Sequence, residues 1–152
     1  MKVAIIDYGM GNLYSVEQAL IRLGAEVIVT NDKQVLNASD ALVLPGVGAF
    51  PDAMARLENL GLADFIKQTK KPLIGICLGM QLLFEQSEEV RKTEGLGIFK
   101  GRIEKFKDVP RIPHMGWNDL QFTTGSHPDK RYVYFVHSFY AVNVAPEELV
   151  AY

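Results

Sequence analysis

The sequence predicts an α/β fold: a mostly parallel open sheet with helices on both faces, followed by a second half of antiparallel or mixed character. Three observations carry this. Short, nearly all-apolar runs rich in Val and Ile recur as far as Ile76 and alternate with segments of helical period, the pattern of strands buried on both faces. Most of these runs close on glycine or proline, the residues that punctuate strand ends. From Gly101 onward the strand-like runs alternate or turn aromatic, which suits a sheet with one wetted face.

Lys2 to Asp7 (KVAIID) is the first strand, ended by Gly9 and Gly11. Asn12 caps the helix that follows, because Leu13, Val16, Leu20 and Leu23 recur at helical spacing and Gly24 stops them. Glu26 to Thr30 and Ala41 to Leu44 are the second and third strands, with at most a short helix between them. Pro51 suits the first position of a helix whose apolar face is Met54, Leu57 and Leu60. Leu73 to Ile76 is the fourth strand, with a helix directly behind Cys77. Gly101 to Phe106, Asn118 to Phe122 and Arg131 to Ser138 are the strands of the second half, and the closing PEELVAY offers neither helix nor strand.

At 152 residues, 48% hydrophobic and 22% charged, the chain has enough apolar surface for a core of its own, and residues 1–152 are expected to form a single domain. A net charge of −2 without a dense Lys/Arg stripe gives no electrostatic case for nucleic acid or an anionic membrane. The N-terminal apolar run is broken by Asp7 and is too short for a signal peptide or a membrane span. The single cysteine permits no internal disulfide, so a reducing cytoplasm is the expected setting. No residue pattern calls for a metal or cofactor.

That cysteine carries the chemistry. Gly75-Ile76-Cys77-Leu78-Gly79 is G-x-C-x-G between a strand and a helix, the cysteine form of the nucleophile elbow, where flanking glycines permit a sharp turn that exposes the nucleophile. A helix N-terminus favours an anion and offers N–H groups to a developing oxyanion. The bland alternative is a buried cysteine filling a core strand. Leu44 to Phe50 (LPGVGAF) lies at the carboxyl end of the third strand, where open α/β sheets bind ligands, although alone it is also an ordinary Pro/Gly turn. Gly9-Met10-Gly11 with Asp32 can be read as a dinucleotide loop and its ribose acid, but Tyr14 stands where the third glycine is needed.

Taken together, DYGMGN at Asp7, PGVGAF at Pro45, PLIGICLGMQ at Pro72, PHMGWN at Pro113 and FVHSFY at Phe135 resemble, in order along the whole chain, the glutaminase subunits of imidazole glycerol phosphate synthase, within the class I glutamine amidotransferases and their flavodoxin-like fold. The resemblance implies that Cys77 attacks the side-chain amide of L-glutamine, forms a glutamyl thioester and frees ammonia. It implies that Leu78 and the Gly46 to Gly48 segment stabilise the oxyanion, that Gln81 binds substrate, and that Ser138 and Phe139 hold the amino-acid end of glutamine. Without it, Gln81 reads as a solvated helix residue and Ser138 as a strand-end hydroxyl. The ammonia would pass to a (β/α)-barrel cyclase subunit, giving imidazole glycerol phosphate and an aminoimidazole carboxamide ribotide in histidine biosynthesis. Gly9, Gly11, Asn12, His114, Met115, Gly116, Trp117 and Asn118 would lie at that interface, with Trp117 a desolvated anchor or, on sequence alone, equally a core residue.

The sequence departs from the family in one respect. A cysteine nucleophile needs a histidine base and an acid to orient it, supplied in this superfamily by a C-terminal H-P-E block, and no His-Pro-Glu occurs here. His127 precedes Pro128 and Asp129 but stands before the FVHSFY block, so it reads as a solvated turn. The expectation is a family member short of its last few tens of residues, without turnover of its own. Two other readings remain open: a non-catalytic interaction subunit of the same fold, and a paralogue feeding ammonia to another synthase.

Overall fold

The computed structural model describes residues 1–107, 109–123 and 131–152. Four apolar runs, β1 (Lys2–Ile6), β2 (Glu26–Thr30), β3 (Ala41–Leu44) and β4 (Leu73–Gly75), form one parallel sheet in the order β2-β1-β3-β4. Strand pleating sends successive side chains to opposite faces, and β1 divides accordingly. Ala4 and Ile6 enter the larger core with Leu42 and Leu44, whereas Val3 and Ile5 join Val43 under Leu13, Val16 and Leu20. Both faces of β1 and β3 are therefore covered, as their apolar composition predicts, whereas Ile74 of β4, paired with Val43, is exposed. The strand order reverses between β1 and β3, so the loops after these two strands flank a topological switch point.

The helices follow their caps. The Asn12 carboxamide accepts the Ser15 amide at 3.2 Å to open α1 (Leu13–Arg22), and Gly24 ends it at φ 82°. Asp32 accepts the Gln34 amide at 2.8 Å to open α2 (Lys33–Ala38), so its carboxylate serves as a helix cap and the dinucleotide reading loses its acid. In α3 (Phe50–Asn59), Pro51 stands second and not first. Met54 and Leu57 are buried as expected, but Leu60 caps the helix and is largely exposed. Its place is taken by Leu62, Ala63 and Ile66 of α4 (Leu62–Gln68), a helix the sequence reading passed over because Gly61 interrupts the pattern.

Behind β4 comes α5 (Leu78–Gln81), which is a single turn. The second half builds a mixed sheet from β5 (Phe84–Ser87), β6 (Thr93–Glu94), β7 (Phe99–Lys105) and β10 (Phe139–Val142), with β5 and β7 parallel and the other pairs antiparallel. A separate antiparallel ribbon joins β8 (His114–Asp119) to β9 (Tyr132–His137). Three expectations change here. The strand expected at Asn118 to Phe122 starts at His114, because pairing with β9 sets its bounds. The strand expected from Arg131 to Ser138 stops at His137, and after Ser138 the chain leaves the ribbon for β7. The closing segment is paired after all, for Gln121 and Tyr152 exchange backbone hydrogen bonds at 2.8 and 3.0 Å beside a bridge between Phe122 and Ala151. His127, Pro128 and Asp129 lie outside the described residues.

Candidate active site

Parallel pairing brings the carboxyl ends of β1, β3 and β4 to one edge, and with them the three loops singled out in the sequence. Cys77 stands at the junction of β4 and α5 with φ 54° and ψ −118°, a conformation costly for a residue with a Cβ. Its thiol is exposed. The glycines around it are required by contact: a methyl on Gly79 would come within 1.8 Å of the Leu44 carbonyl oxygen, and one on Gly75 within 2.5 Å of the Met80 Cα. The elbow can therefore press against the end of β3 only because these positions carry no side chain. The short α5 corrects one expectation, since a single turn sums few peptide dipoles. What it retains is a free N-terminal amide, for Leu78 as first helical residue has no helical carbonyl to bond.

The Gly46 to Gly48 segment sits against that turn. A methyl on Gly46 would lie 2.6 Å from the Gly79 nitrogen and 2.9 Å from the Leu78 Cβ, so loop and elbow are in direct contact. Pro45 and Gly46 are buried, while Val47 and Gly48 are exposed. Tyr8 supports the loop from below, its hydroxyl donating to the Pro45 carbonyl at 2.8 Å. Burial pushes the Tyr8 phenol up to about 12, against a smaller lowering by Arg56, so it stays protonated and donating at neutral pH.

Gln81 lies one turn beyond Cys77, its amide bonding the Cys77 carbonyl at 3.1 Å, and its side chain is buried where a solvated helix residue would be open. The carboxamide reaches across to the Phe139 carbonyl at 3.4 Å. That carbonyl also accepts from the His137 ring at 2.8 Å, and the Ser138 carbonyl accepts the Phe106 amide. Cys77, Gln81 and Phe139 line a mainly apolar cavity of about 1110 Å³ bounded by the turn at Cys77, the mixed sheet and the β8–β9 ribbon, with Ile76, Met80, Phe84 and both described histidines on its wall. This exceeds the roughly 300–1,000 Å³ of small-molecule pockets, so one amino acid fills only an end of it. Among the described residues, no cluster of three His, Cys, Asp or Glu side chains could hold a metal, and no helix is long and apolar enough to cross a membrane.

The expected interface residues fall into two groups. Gly9 and Asn12 are exposed on the loop after β1, with Gly11 half-buried beside Pro45. In the ribbon, directly paired residues share a face. Met115 with Val136 and Trp117 with Tyr134 form one face, and His114 with His137, Gly116 with Phe135 and Asn118 with Val133 the other. Trp117 is 68% exposed and meets Tyr134 edge to face at 5.5 Å, so it is not a core residue. His114 instead binds the Asn118 side chain at 2.9 Å and packs against the His137 ring at 5.6 Å.

The model of the class-I glutamine amidotransferase family matches residues 4–152. This chain belongs to that family. Among its relatives is a protein of Exiguobacterium sibiricum named imidazole glycerol phosphate synthase subunit HisH, 55% identical over 92% of this chain and 70% of its own length. HisH subunits of Bacillus cereus and Geobacillus thermodenitrificans are 53% and 51% identical, over 97% and 98% of this chain and 74% and 76% of theirs. A crystal structure of a glutamine amidotransferase superposes with TM-score 0.75 at 20% identity, covering 94% of this chain and 75% of that one. A putative GMP synthase subunit from Thermoplasma acidophilum gives 0.66 at 20% identity, covering 95% and 68%. At such identity the two structures speak for the fold alone.

For an amidotransferase of this kind, sequence reasoning missed Tyr8 and Arg56. Tyr8 reads as the tail of an apolar run, and nothing local signals that its hydroxyl will meet Pro45, which belongs to another strand's loop. Arg56 reads as a polar face residue of α3, yet its guanidinium donates to the Gly9 carbonyl at 3.1 Å.

Proposed function

We propose that residues 1–152 belong to one glutaminase domain that, given a histidine base for Cys77, releases ammonia from L-glutamine and passes it to a (β/α)-barrel cyclase subunit, which makes imidazole glycerol phosphate and aminoimidazole carboxamide ribotide in histidine biosynthesis. The observation that carries the chemistry is Cys77, exposed at φ 54° on the elbow and facing the cavity that Gln81 and Phe139 also line. The Cys77 sulfur bonds the amide carbon of glutamine, and the carbonyl oxygen takes up the negative charge within reach of the Leu78 amide and the Gly46 to Gly48 loop. Collapse of this adduct expels ammonia, once its nitrogen is protonated, and leaves a thioester that water cleaves to glutamate. Gln81 and the Ser138–Phe139 backbone orient the substrate's amino-acid end. The thiol's proton needs an acceptor, and His114 and His137 are the described histidines on the cavity wall. Trp117 and Met115 on the ribbon, with Gly9 and Asn12 on the first loop, supply the surface for the cyclase, which suits their exposure. A thiol that must stay free suits a reducing cytoplasm.

The test is product formation with the cyclase, using either glutamine or ammonium as nitrogen source, together with capture of Cys77 by a glutamine-shaped chloroketone. Cys77→Ala removes glutamine-supported synthesis and all labelling, and leaves ammonium-supported synthesis unchanged. Labelling at another residue, or glutamine-supported synthesis at the parent rate, would sink the assignment. The same assay on a chain extended through the remaining length of a HisH relative separates the two cavity histidines from a base supplied by further sequence.

A further inference from the structure

The Pro45-Gly46-Val47-Gly48 loop contains two glycines, so its backbone has many accessible conformations and needs an outside constraint to hold one. The loop after β1 supplies it. Tyr8 is almost fully buried and its hydroxyl holds the Pro45 carbonyl at 2.8 Å. A methyl on Gly46 would come within 2.8 Å of the same hydroxyl, so the phenol touches both residues of the Pro45–Gly46 peptide. Around this bond the two loops are in contact throughout. A methyl on Gly11 would meet the Pro45 ring at 3.1 Å, and one on Gly48 would meet the Met10 methyl at 2.8 Å. Arg56, from the helix that follows Pro45–Gly48, closes the set through the Gly9 carbonyl at 3.1 Å.

We propose that Tyr8 is a positioning residue for the oxyanion loop: by holding the Pro45 carbonyl it fixes the planar Pro45–Gly46 peptide against the Leu78–Gly79 turn, and so sets where Val47 and Gly48 present their amides. The inference rests on the reading of Cys77 and this loop given above. In this role Tyr8 acts through the loop.

Two reagents separate that role from a general one. With iodoacetamide the Cys77 sulfur bonds the methylene carbon directly and iodide leaves. With the glutamine-shaped chloroketone the sulfur first adds to the ketone carbon, which places negative charge on the oxygen where the amide oxygen of glutamine would be, and then shifts to the methylene as chloride leaves and the carbonyl re-forms. Tyr8→Phe keeps the ring and its packing. The expected result is a fall of about five- to tenfold in the chloroketone rate, the scale of one lost hydrogen bond, with the iodoacetamide rate unchanged and faster amide hydrogen exchange at Val47 and Gly48. Unchanged chloroketone rate would overturn the proposal, as would equal losses with both reagents, which mark damage to the thiol or the fold. Parent protein showing no preference for the chloroketone would instead overturn the glutaminase reading, and this inference with it. Unchanged hydrogen exchange in Tyr8→Phe would overturn the latch independently of any chemistry at Cys77.

Discussion

β1 and β9 are both strands of large apolar residues, and the chain treats them oppositely. In β1, Val3, Ala4, Ile5 and Ile6 are all buried, because α1 covers one face of the sheet and α3 and α4 the other. In β9, Tyr132, Tyr134 and Val136 are more than half exposed, on a separate ribbon of two strands. Apolar content is thus a poor guide to burial unless something is available to cover it. β1 is satisfied within the chain, whereas the outer face of the ribbon is an apolar patch of the kind that marks a contact surface. Its partner residues Met115 and Trp117 are the ones the family resemblance assigns to the cyclase.

Three measurements sharpen the contrast. Leu42→Ala in the parallel sheet should lower unfolding free energy by about 3 kcal/mol, read from urea denaturation, because a fully buried leucine leaves a cavity that a two-sided sheet cannot close. A loss below about 1 kcal/mol would mean that the sheet is not the rigid half. Tyr8 extends the test to alkaline pH. Its phenol ionises near 10 when unfolded and about 12 when folded, so the unfolded chain gives up its proton first. Stability from this group is complete below pH 10 and falls by roughly 2–3 kcal/mol as pH rises towards 12. Tyr8→Phe should remove that part of the alkaline slope, and an unchanged slope would place its origin elsewhere. Trp117→Ala on the ribbon should do the reverse of Leu42→Ala. Calorimetry with the cyclase should show binding weakened by about 2 kcal/mol, with stability of the isolated chain changed by no more than about 0.5 kcal/mol. Trouble in the isolated chain without loss of binding would make Trp117 a structural residue.

The same contrast explains what could be read in advance. β3 was legible to the residue because a covered strand is an uninterrupted apolar run with turn residues at its end, and β2, a half-buried edge strand, through the Val-Ile-Val run at its centre. The elbow was legible because G-x-C-x-G stands between a strand and a helix, although the contacts that demand its glycines reach as far as Leu44. β5 and β6, with sequences FEQS and TE, carry no such signal, since their strand character comes from pairing with distant partners. β8 was misplaced for the same reason, its bounds being set by β9. In the candidate site, Gln81 was expected at the pocket from its place one turn beyond Cys77 and through the family resemblance, but its bond to Phe139 of the second sheet was not legible. Tyr8 and Arg56 were illegible because each acts on a loop that sequence separates from it by a strand or more.

The backbone at Cys77 has one consequence for how this protein can change. A side chain held at φ 54° and ψ −118° costs on the order of 1–3 kcal/mol, and glycine alone would escape that cost. Judged by folding alone, glycine is the preferred occupant of position 77, so any drift or selection that rewards thermostability without rewarding chemistry pushes the codon away from cysteine. Cysteine at this position is therefore held at a cost to folding, which suits the role proposed above for its thiol.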